Sequence, residues 1–294
     1  MNLKIFIFGV MVFSLISCEK AEYGDSNGTT DEGDGAKVTF SVTKFDQLSF
    51  SNTTRSVDIS SLCTRIDLGV YDLSSKTRIL KAGQSVDDKG FGSLSVKLAT
   101  GKYCVVAIAH SGSGIATMTN LEKITFPDNK LTDTFCYCDT IDVGENDKTY
   151  EVEMKRVVAM FRLIIRDSIP KDVATMRFFY TGGSSTFNAL TGFGCVDSRQ
   201  TEAKAITPVS IGGNATFEVY TFPHAESGEE LSMQITALDA SGNTNKQVTF
   251  SEVPITRNRI TQYRGYFFTS GPVVSNTFSF VTDDEWGIDR YSYK

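Results

Sequence analysis

The stretch Val38-Thr39-Phe40-Ser41-Val42 alternates large apolar side chains with small hydroxyl side chains. Successive side chains of a β-strand point to opposite faces, so this spacing predicts a strand with one buried and one solvated face. Similar stretches fill the first half of the chain, at Ile66, Leu68 and Val70; Leu94, Val96 and Leu98; Tyr103, Val105, Ala107 and Ala109; Phe135 and Tyr137; and Tyr150, Val152 and Met154. Because no stretch of comparable strength has helical spacing, the sequence predicts an all-β fold.

A second series of strand candidates begins after Arg156 and is broken by glycine-rich turns such as Gly182-Gly183 and Ser241-Gly242-Asn243. These candidates lie at 157–165, 176–180, 216–222, 231–238, 247–253 and 259–268. Each series holds about seven strands in roughly 100 residues, which is the size of one β-sandwich. We therefore predict two tandem sandwich domains, residues 37–154 and residues 155–294, the second with a terminal extension.

The amino-acid composition argues against several classes of protein. The 294 residues are 40% hydrophobic and include 21 Phe, which is enough for a sizeable core and too apolar for a disordered chain. The formal net charge is -6, and no basic run with interleaved aromatic residues occurs, which argues against nucleic acid as a partner. Only His110 and His224 supply imidazole, so most zinc enzymes and most histidine-based triads are excluded.

The N-terminus predicts export and lipid attachment. After Lys4, an apolar run that is too short to span a bilayer marks residues 1–17 as a signal peptide. It ends in Leu15-Ile16-Ser17-Cys18, which resembles a bacterial lipobox, and Cys18 is then the mature first residue and the site of lipid attachment. The alternative is an ordinary secretory cleavage site with a chance cysteine. Several acyl chains on one cysteine hold a protein on a membrane without a transmembrane helix.

A short acidic segment follows the cysteine. Residues 19–35 carry six acidic side chains against Lys20, with four glycines and almost no large apolar residue. Such a segment cannot offset its ordering entropy, so residues 18–36 are predicted to be the lipidated N-terminus and a flexible linker. Its first acids, Glu19, Glu22 and Asp25, loosely resemble the surface-export signal of lipoproteins in some Gram-negative anaerobes; a merely solvated spacer is the alternative.

Five cysteines remain besides Cys18, and an odd number leaves at least one thiol unpaired within the monomer. The sequence leaves open the pairing of Cys63, Cys104, Cys136, Cys138 and Cys195. A Cys63–Cys104 disulfide is one alternative. Cys136 and Cys138 share a face of one strand, but without further ligands they are interpreted as apolar packing residues and not as a metal or redox pair.

The sequence contains no recognisable group of catalytic residues. His110 precedes the glycine-rich Ser111-Gly112-Ser113-Gly114, but no nucleophile-elbow motif accompanies it, so a strand-end histidine beside a loop is favoured. Gly192-Phe193-Gly194 lacks the remainder of a phosphate-binding motif, and Asp283-Asp284-Glu285 lacks the spacing of a calcium loop. We therefore predict a non-enzymatic protein with no catalytic, cofactor-binding or metal-binding residues. With Trp286 as its single Trp, carbohydrate binding is unsupported.

Three segments carry a family resemblance, taken together with the lipobox and the acidic stretch. They are Gly101-Lys102-Tyr103-Cys104-Val105-Val106-Ala107, the junction at 152–161, and Val253-Pro254-Ile255-Thr256-Arg257-Asn258-Arg259-Ile260-Thr261. In order and spacing they resemble the FimB-like fimbrial anchor and assembly lipoproteins of type V pili. The resemblance implies two transthyretin-like Greek-key β-sandwiches and a surface-exposed lipoprotein of the outer membrane, palmitoylated at Cys18, that anchors a pilus and limits fibre length.

The same resemblance implies the partners. Fimbrial subunits would bind by β-strand exchange, in which a strand from one subunit pairs with an open sheet edge of another. Stalk or tip subunits of this superfamily lose their first strand by cleavage after an arginine, and Arg55 lies where such a cut would fall. The alternatives are therefore a polymerising stalk or tip adhesin, or a lipid-anchored protein that binds a glycan or host ligand. The stretch 276–281 is a candidate final or donated strand.

Overall fold

The computed structural model describes residues 35–46, 58–269 and 279–280. This part of the chain contains seventeen β-strands, three short 3₁₀ helices at Ile59–Ser61, Pro127–Asn129 and Pro208–Gly212, and no α-helix. None of these helices is long and apolar enough to cross a membrane. The predicted all-β fold is confirmed. The first strands are β1 Ala36–Asp46, β2 Arg65–Asp72, β3 Arg78–Ser85, β4 Ser93–Leu98, β5 Gly101–His110, β6 Phe135–Val143 and β7 Lys148–Arg156.

The strands β1 to β7 form one seven-stranded sheet in the order β3-β2-β5-β6-β7-β1-β4. Strands β6 and β7 pair at only two positions, Phe135 with Arg156 and Cys136 with Lys155, so the sheet folds there into two facing layers. Apolar side chains from both layers meet in a first core, which has the arrangement of a sandwich. Its members include Val38, Phe40, Ile66, Leu68, Leu94, Val96, Val105, Ala107, Val152 and Met154.

Two connections of this sheet are held by side-chain hydrogen bonds. The turn Asp87-Asp88-Lys89-Gly90 connects β3 to β4, and its Asp88 carboxylate accepts the backbone N–H of Ser85 at 2.7 Å. The tight connection between β4 and β5 is held by Tyr103, whose hydroxyl donates to the Ala99 carbonyl four residues upstream at 2.9 Å. A tyrosine bonded back to the preceding turn in this way is common in Greek-key sandwiches.

The second series of strands forms two four-stranded sheets, in the orders β12-β9-β14-β15 and β13-β8-β16-β17, with a short β10–β11 hairpin beside them. A separate core that includes Phe161, Leu163, Phe178 and Ile235 lies between the two sheets. The strands are β8 Ala159–Ile165, β9 Val173–Thr181, β10 Phe187–Asn188, β11 Phe193–Gly194, β12 Gln200–Ala205, β13 Ala215–Thr221, β14 Glu229–Asp239, β15 Thr244–Ile255, β16 Ile260–Gly265 and β17 Ser279–Phe280.

A further apolar core joins the two series of strands. Strand β5 places Val105 and Ala107 in the first core, whereas Cys104, Val106 and Ile108 point to the opposite face of the sheet. There they contact side chains from the second series, which include Val158, Met160, Phe187, Phe222 and Ile260. Since β5 is covered on both faces, its sequence is a nearly continuous apolar run.

The predicted domain limits, 37–154 and 155–294, stay a prediction. The predicted signal peptide lies outside the described residues, and so does the predicted linker except for Gly35 and Ala36, the second of which begins β1. The first core draws its buried members from residues 36–154, and the core between the two four-stranded sheets draws its members from residues 159–267. Within the candidate final strand 276–281, the structure describes Ser279–Phe280, which pairs antiparallel with β16 at Tyr263 and Arg264.

Candidate functional site

Strand β1 is the feature that bears most directly on subunit exchange, because it is paired on both sides. It runs antiparallel to β4 from Ala36 to Ser41 and parallel to β7 from Val38 to Asp46. A register shift between Val42 and Lys44 interrupts the parallel ladder. Because β1 lies between β7 and the edge strand β4, it is an integral part of the first sandwich.

The apolar face of β1 is buried in the first core. Val38 and Phe40 are fully enclosed, and the Phe40 ring stacks on Tyr150 of β7 with a centroid separation of 5.9 Å. Near the end of the strand, Phe45 meets the edge of Phe135 at 4.8 Å. Burying one such side chain contributes about 1.5–3 kcal/mol, so β1 as a whole is a large part of the stability of this sandwich.

Removal of β1 would uncover two sheet edges and an apolar groove between them. Strand β4 would lose its pairing from Leu98 to Ser93, and β7 would lose its pairing from Lys148 to Lys155. Because successive side chains of β1 point to opposite faces, the groove left behind would be apolar at the positions of Val38 and Phe40.

The two site residues predicted from the sequence, Cys18 and Arg55, both lie outside the described residues. The structure places the segment that contains Arg55 between the end of β1 at Asp46 and the return of the chain at Asp58. There, the Asp58 side chain caps the Ile59–Ser61 helix by accepting the Ser60 N–H at 3.0 Å. A cut after Arg55 would therefore separate β1 from the remainder of the sheet without breaking another described strand.

His110 is buried, and its hydrogen bonds give it a structural role. Its Nε2 lies 3.1 Å from Asp67 Oδ2, its Nδ1 accepts the Gly112 N–H at 3.0 Å, and the ring is only 1% exposed. The neighbouring Ser111 hydroxyl instead accepts the Thr64 N–H. Both ring nitrogens and the hydroxyl are thus engaged elsewhere, and the geometry supports the interpretation of His110 as a strand-end histidine.

The other histidine, His224, is half-buried and holds two segments together, a role that the sequence did not predict. His224 Nδ1 lies 2.8 Å from Glu229 Oε2, and Nε2 lies 3.1 Å from the Val196 carbonyl. Burial alone would lower the pKa of His224, but the hydrogen bonds to Glu229 and Val196 outweigh it, so its pKa is raised. The His224 ring therefore ties the loop at 195–199 to the turn that precedes β14. Nothing in the sequence between the partners signalled this contact.

The five described cysteines are free thiols. Cys63 belongs to the first core, whereas Cys104 faces the opposite side of the sheet, so the Cys63–Cys104 disulfide is not formed and the sheet separates the two sulfurs. Within the described residues, no group of three or more His, Cys, Asp or Glu side chains is arranged to hold a metal ion.

The glycine-rich stretch Gly192-Phe193-Gly194 forms part of the β10–β11 hairpin. The Arg257 guanidinium lies 4.6 Å from the Phe193 ring centroid and donates to the Gly192 carbonyl, which fixes the hairpin against the turn before β16. A shallow polar pocket lies elsewhere, at the β2–β3 turn, and contains no aromatic side chain on which a sugar could stack; it is lined by Ser75, Lys76, Thr77, Arg78, Thr119, Asn120 and Glu122.

Several solved structures are similar to this chain at low sequence identity. A candidate polysaccharide-binding protein from Bacteroides thetaiotaomicron superposes with a TM-score of 0.51 at 11% identity, covering 85% of this chain and 96% of that one. A candidate adhesin from Bacteroides ovatus gives a TM-score of 0.48 at 13% identity, with 74% and 82% covered. A fimbrial assembly protein from Parabacteroides distasonis gives 0.41 at 12% identity, with 84% and 94% covered. The first likeness shows a common all-β fold.

No curated protein matches the chain in sequence. A protein-family profile described as a family of unknown function, DUF6562, matches residues 29–291, which include every strand of both series. The chain therefore belongs to the DUF6562 family.

Proposed function

We propose that the protein is a lipid-anchored fimbrial subunit of the bacterial outer membrane that binds other pilins by β-strand complementation. The observation that carries this proposal is the position of β1, which follows Cys18 by fewer than twenty residues in the sequence and is paired on both sides. A lipid at Cys18 would be joined by the chain to a strand that is paired on both sides in the first sheet. An uncut chain would thus hold its sandwiches, and any pilin bound to them, at the membrane.

The proposed anchor needs an edge that a second subunit can pair with. In the described part of the chain, β16 is paired along one side with β8, but on its other side only Tyr263 and Arg264 pair, with β17. In the proposed exchange, a strand of another subunit would take the place of β17 beside β16. This edge is where we place the strand exchange of the anchor.

The stalk or tip subunit is the second candidate, and the groove beneath β1 favours it. Cleavage after Arg55 would release residues 18–55 together with β1 and the proposed lipid, leaving the apolar groove for a partner strand. The two candidates differ in one property of the mature protein: the anchor keeps its first strand and the stalk subunit loses it.

The deciding experiment is the mass and N-terminal sequence of the surface form, purified from cells. An acylated Cys18 start supports the anchor, a Ser56 start supports the stalk or tip subunit, and an unacylated start between these residues contradicts both. Cys18→Ala is the matched variant for the lipid, and Arg55→Ala for cleavage. For the anchor, deletion of the gene should release long fibres into the medium, and unchanged attachment and fibre length would contradict it.

A further inference from the structure

Three cysteines lie on one face of the first sheet, and two of them form a pair. Cys104 on β5 and Cys136 and Cys138 on β6 all point away from the first core and toward the core that joins the two series of strands. In the register of β5 and β6, Val106 is opposite Cys138 and Cys104 is opposite Thr140. Cys104 and Cys138 are therefore diagonal neighbours on adjacent antiparallel strands.

As diagonal neighbours on one face of the sheet, the two cysteine side chains point the same way and lie within reach of each other. Cys104 is 8% exposed and Cys138 is half-buried, so the pair lies at the margin of this core. Cys136 is further inside the same core, and Cys63 and Cys195 lie elsewhere in the molecule. Cys104 and Cys138 are thus neighbours of each other on adjacent strands, whereas the other three thiols lie at other places in the structure.

The chemistry of the pair also differs from that of the other thiols. The hydrogen bond from Cys138 lowers the pKa of Cys104 to about 7, against the opposing effects of burial and of Asp139, while Lys76 adds a smaller lowering. Burial raises the pKa of Cys63 to about 12 and also raises the pKa values of Cys136 and Cys195. At neutral pH Cys104 is thus the thiol with substantial thiolate character, and thiolates are the reactive form.

We propose that Cys104 and Cys138 are an oxidation site that reacts with hydroperoxides and closes to an intrachain disulfide. The Cys104 thiolate attacks one peroxide oxygen, the O–O bond breaks, and Cys104 becomes a sulfenic acid while the leaving oxygen takes up a proton. The Cys138 sulfur then attacks the Cys104 sulfur, and the sulfenic oxygen leaves as water with the Cys138 proton. Two thiols are oxidised by two electrons, and one hydroperoxide is reduced to water and an alcohol, or to two waters.

The strand geometry indicates that this disulfide is reversible. Diagonal neighbours on paired strands lie about 7–8 Å apart, whereas disulfides usually join Cα atoms separated by about 4.4–6.8 Å. Closure therefore requires a small shift between β5 and β6, and a bond formed under such a constraint is more easily reduced than a structural disulfide. The site is an oxidisable pair and not a structural disulfide.

The test is peptide mapping of the full chain after treatment with stoichiometric hydrogen peroxide at pH 7. Remaining thiols are alkylated, and the protein is digested with trypsin without reduction. Cys104 lies on the tryptic peptide 103–123, and Cys136 and Cys138 share the peptide 131–148, so fragment ions between them identify the partner. We expect the two peptides to be joined through Cys104 and Cys138 with loss of two hydrogens, and dithiothreitol to separate them.

Variants separate the two steps. Cys138→Ser keeps a hydrogen-bond donor for Cys104 but removes the second sulfur, so a sulfenic acid at Cys104 should accumulate and be trapped by dimedone. Cys138→Ala removes the donor as well, and the trapping of Cys104 should slow by about tenfold as its thiolate fraction falls. Cys136→Ala is the matched control on the same face of β6, and it should leave the joined peptides unchanged.

Two outcomes would overturn the proposal. One is oxidation of the exposed Cys195 ahead of Cys104 in the folded protein, with no joined peptides. The other is a cross-link from Cys104 to Cys136. Circular dichroism of each variant establishes that it is folded, and the wild-type map alone decides the question if a variant is not.

Discussion

The Arg156 guanidinium holds the Asp133 carboxylate through two parallel hydrogen bonds of 2.8 Å, and its remaining nitrogen reaches Asn258 Oδ1 at 3.1 Å. Arg156 ends β7, Asp133 precedes β6, and Asn258 precedes β16, so this pair joins both series of strands at the point where the chain passes from one to the other. Arg156 is only 6% exposed. Burial raises the pKa of Asp133, although the hydrogen bonds and the charge of the Arg156 guanidinium act in the opposite direction.

We expect Arg156→Ala to lower the free energy of unfolding by about 3 kcal/mol, because loss of one partner leaves a buried charge uncompensated. Lys44→Ala is the control, since the Lys44–Glu153 pair is largely exposed and such pairs contribute less than about 1 kcal/mol. Urea unfolding of both variants checks this. Equal losses would contradict a structural role for the buried pair.

The apolar face of β1 should dominate its contribution to stability. Phe40→Ala removes a fully buried ring from the first core and should cost about 4 kcal/mol. Its neighbour Thr39 faces the other way and bonds only to the Ser95 hydroxyl at 2.8 Å, so Thr39→Ala should cost about 1 kcal/mol or less. If thermal or urea unfolding gave similar losses for both, β1 would not be anchored through its apolar side chains.

The stability of the protein should decrease from neutral to alkaline pH in a manner that depends on His224. Its pKa is raised in the folded protein, so its contribution is fully present below the unfolded-state pKa and is lost as pH rises through the folded-state value. The groups that face it are Glu229 and Asp197. We expect urea midpoints of the wild type to fall toward those of His224→Gln over this range. A constant difference between the two proteins would show that the imidazolium is not the stabilising form.

The end of β16 is held by Asp167, whose carboxylate accepts the backbone N–H groups of Phe267, Phe268 and Thr269 at 2.7–2.9 Å. These bonds lower the pKa of Asp167 although burial acts in the opposite direction. Its contribution is therefore present above the unfolded-state pKa and lost as pH falls through the lowered folded-state value.

Asp167→Ala should release these three amides, each of which is bonded to a charged acceptor, at a cost of about 3 kcal/mol. Hydrogen exchange of the amides at 267–269 should accelerate in step with this loss. Asp172→Ala is the matched control, because the Asp172 carboxylate bonds to Asn245 at an exposed position. Unchanged exchange at 267–269 in Asp167→Ala would contradict the role of this carboxylate.

Strands with strictly alternating apolar residues were predictable from the sequence. When one face of a strand is buried, every second residue along it is apolar. The sequence did not predict strands β3 and β12, and the reason differs between the two. The exposed positions of β3 include Ile79, which blurs its alternation, and the inward side chains of β12 are Gln200 and Glu202, which are polar yet buried. Edge strands and buried polar positions remove the periodic signal on which such predictions depend.

The candidate sites were predictable only in part, because long-range register decides which side chains meet. The ring of His110 is fixed by Asp67, 43 residues earlier, and nothing in the intervening sequence signals that contact. Cys136 and Cys138 were correctly placed on one face of a strand. The contact of Cys138 with Cys104 required the β5–β6 register, which places Cys138 opposite Val106.

The pairing of β1 on both sides also determines how the protein responds to mechanical force. A pull on the chain before Ala36 acts along the axis of β1, so the hydrogen bonds to β4 and β7 are loaded together in shear. If β1 were instead pulled perpendicular to its axis, its hydrogen bonds to the neighbouring strands would break one at a time. The first sandwich should therefore resist tension applied through its N-terminus better than tension applied across its sheet.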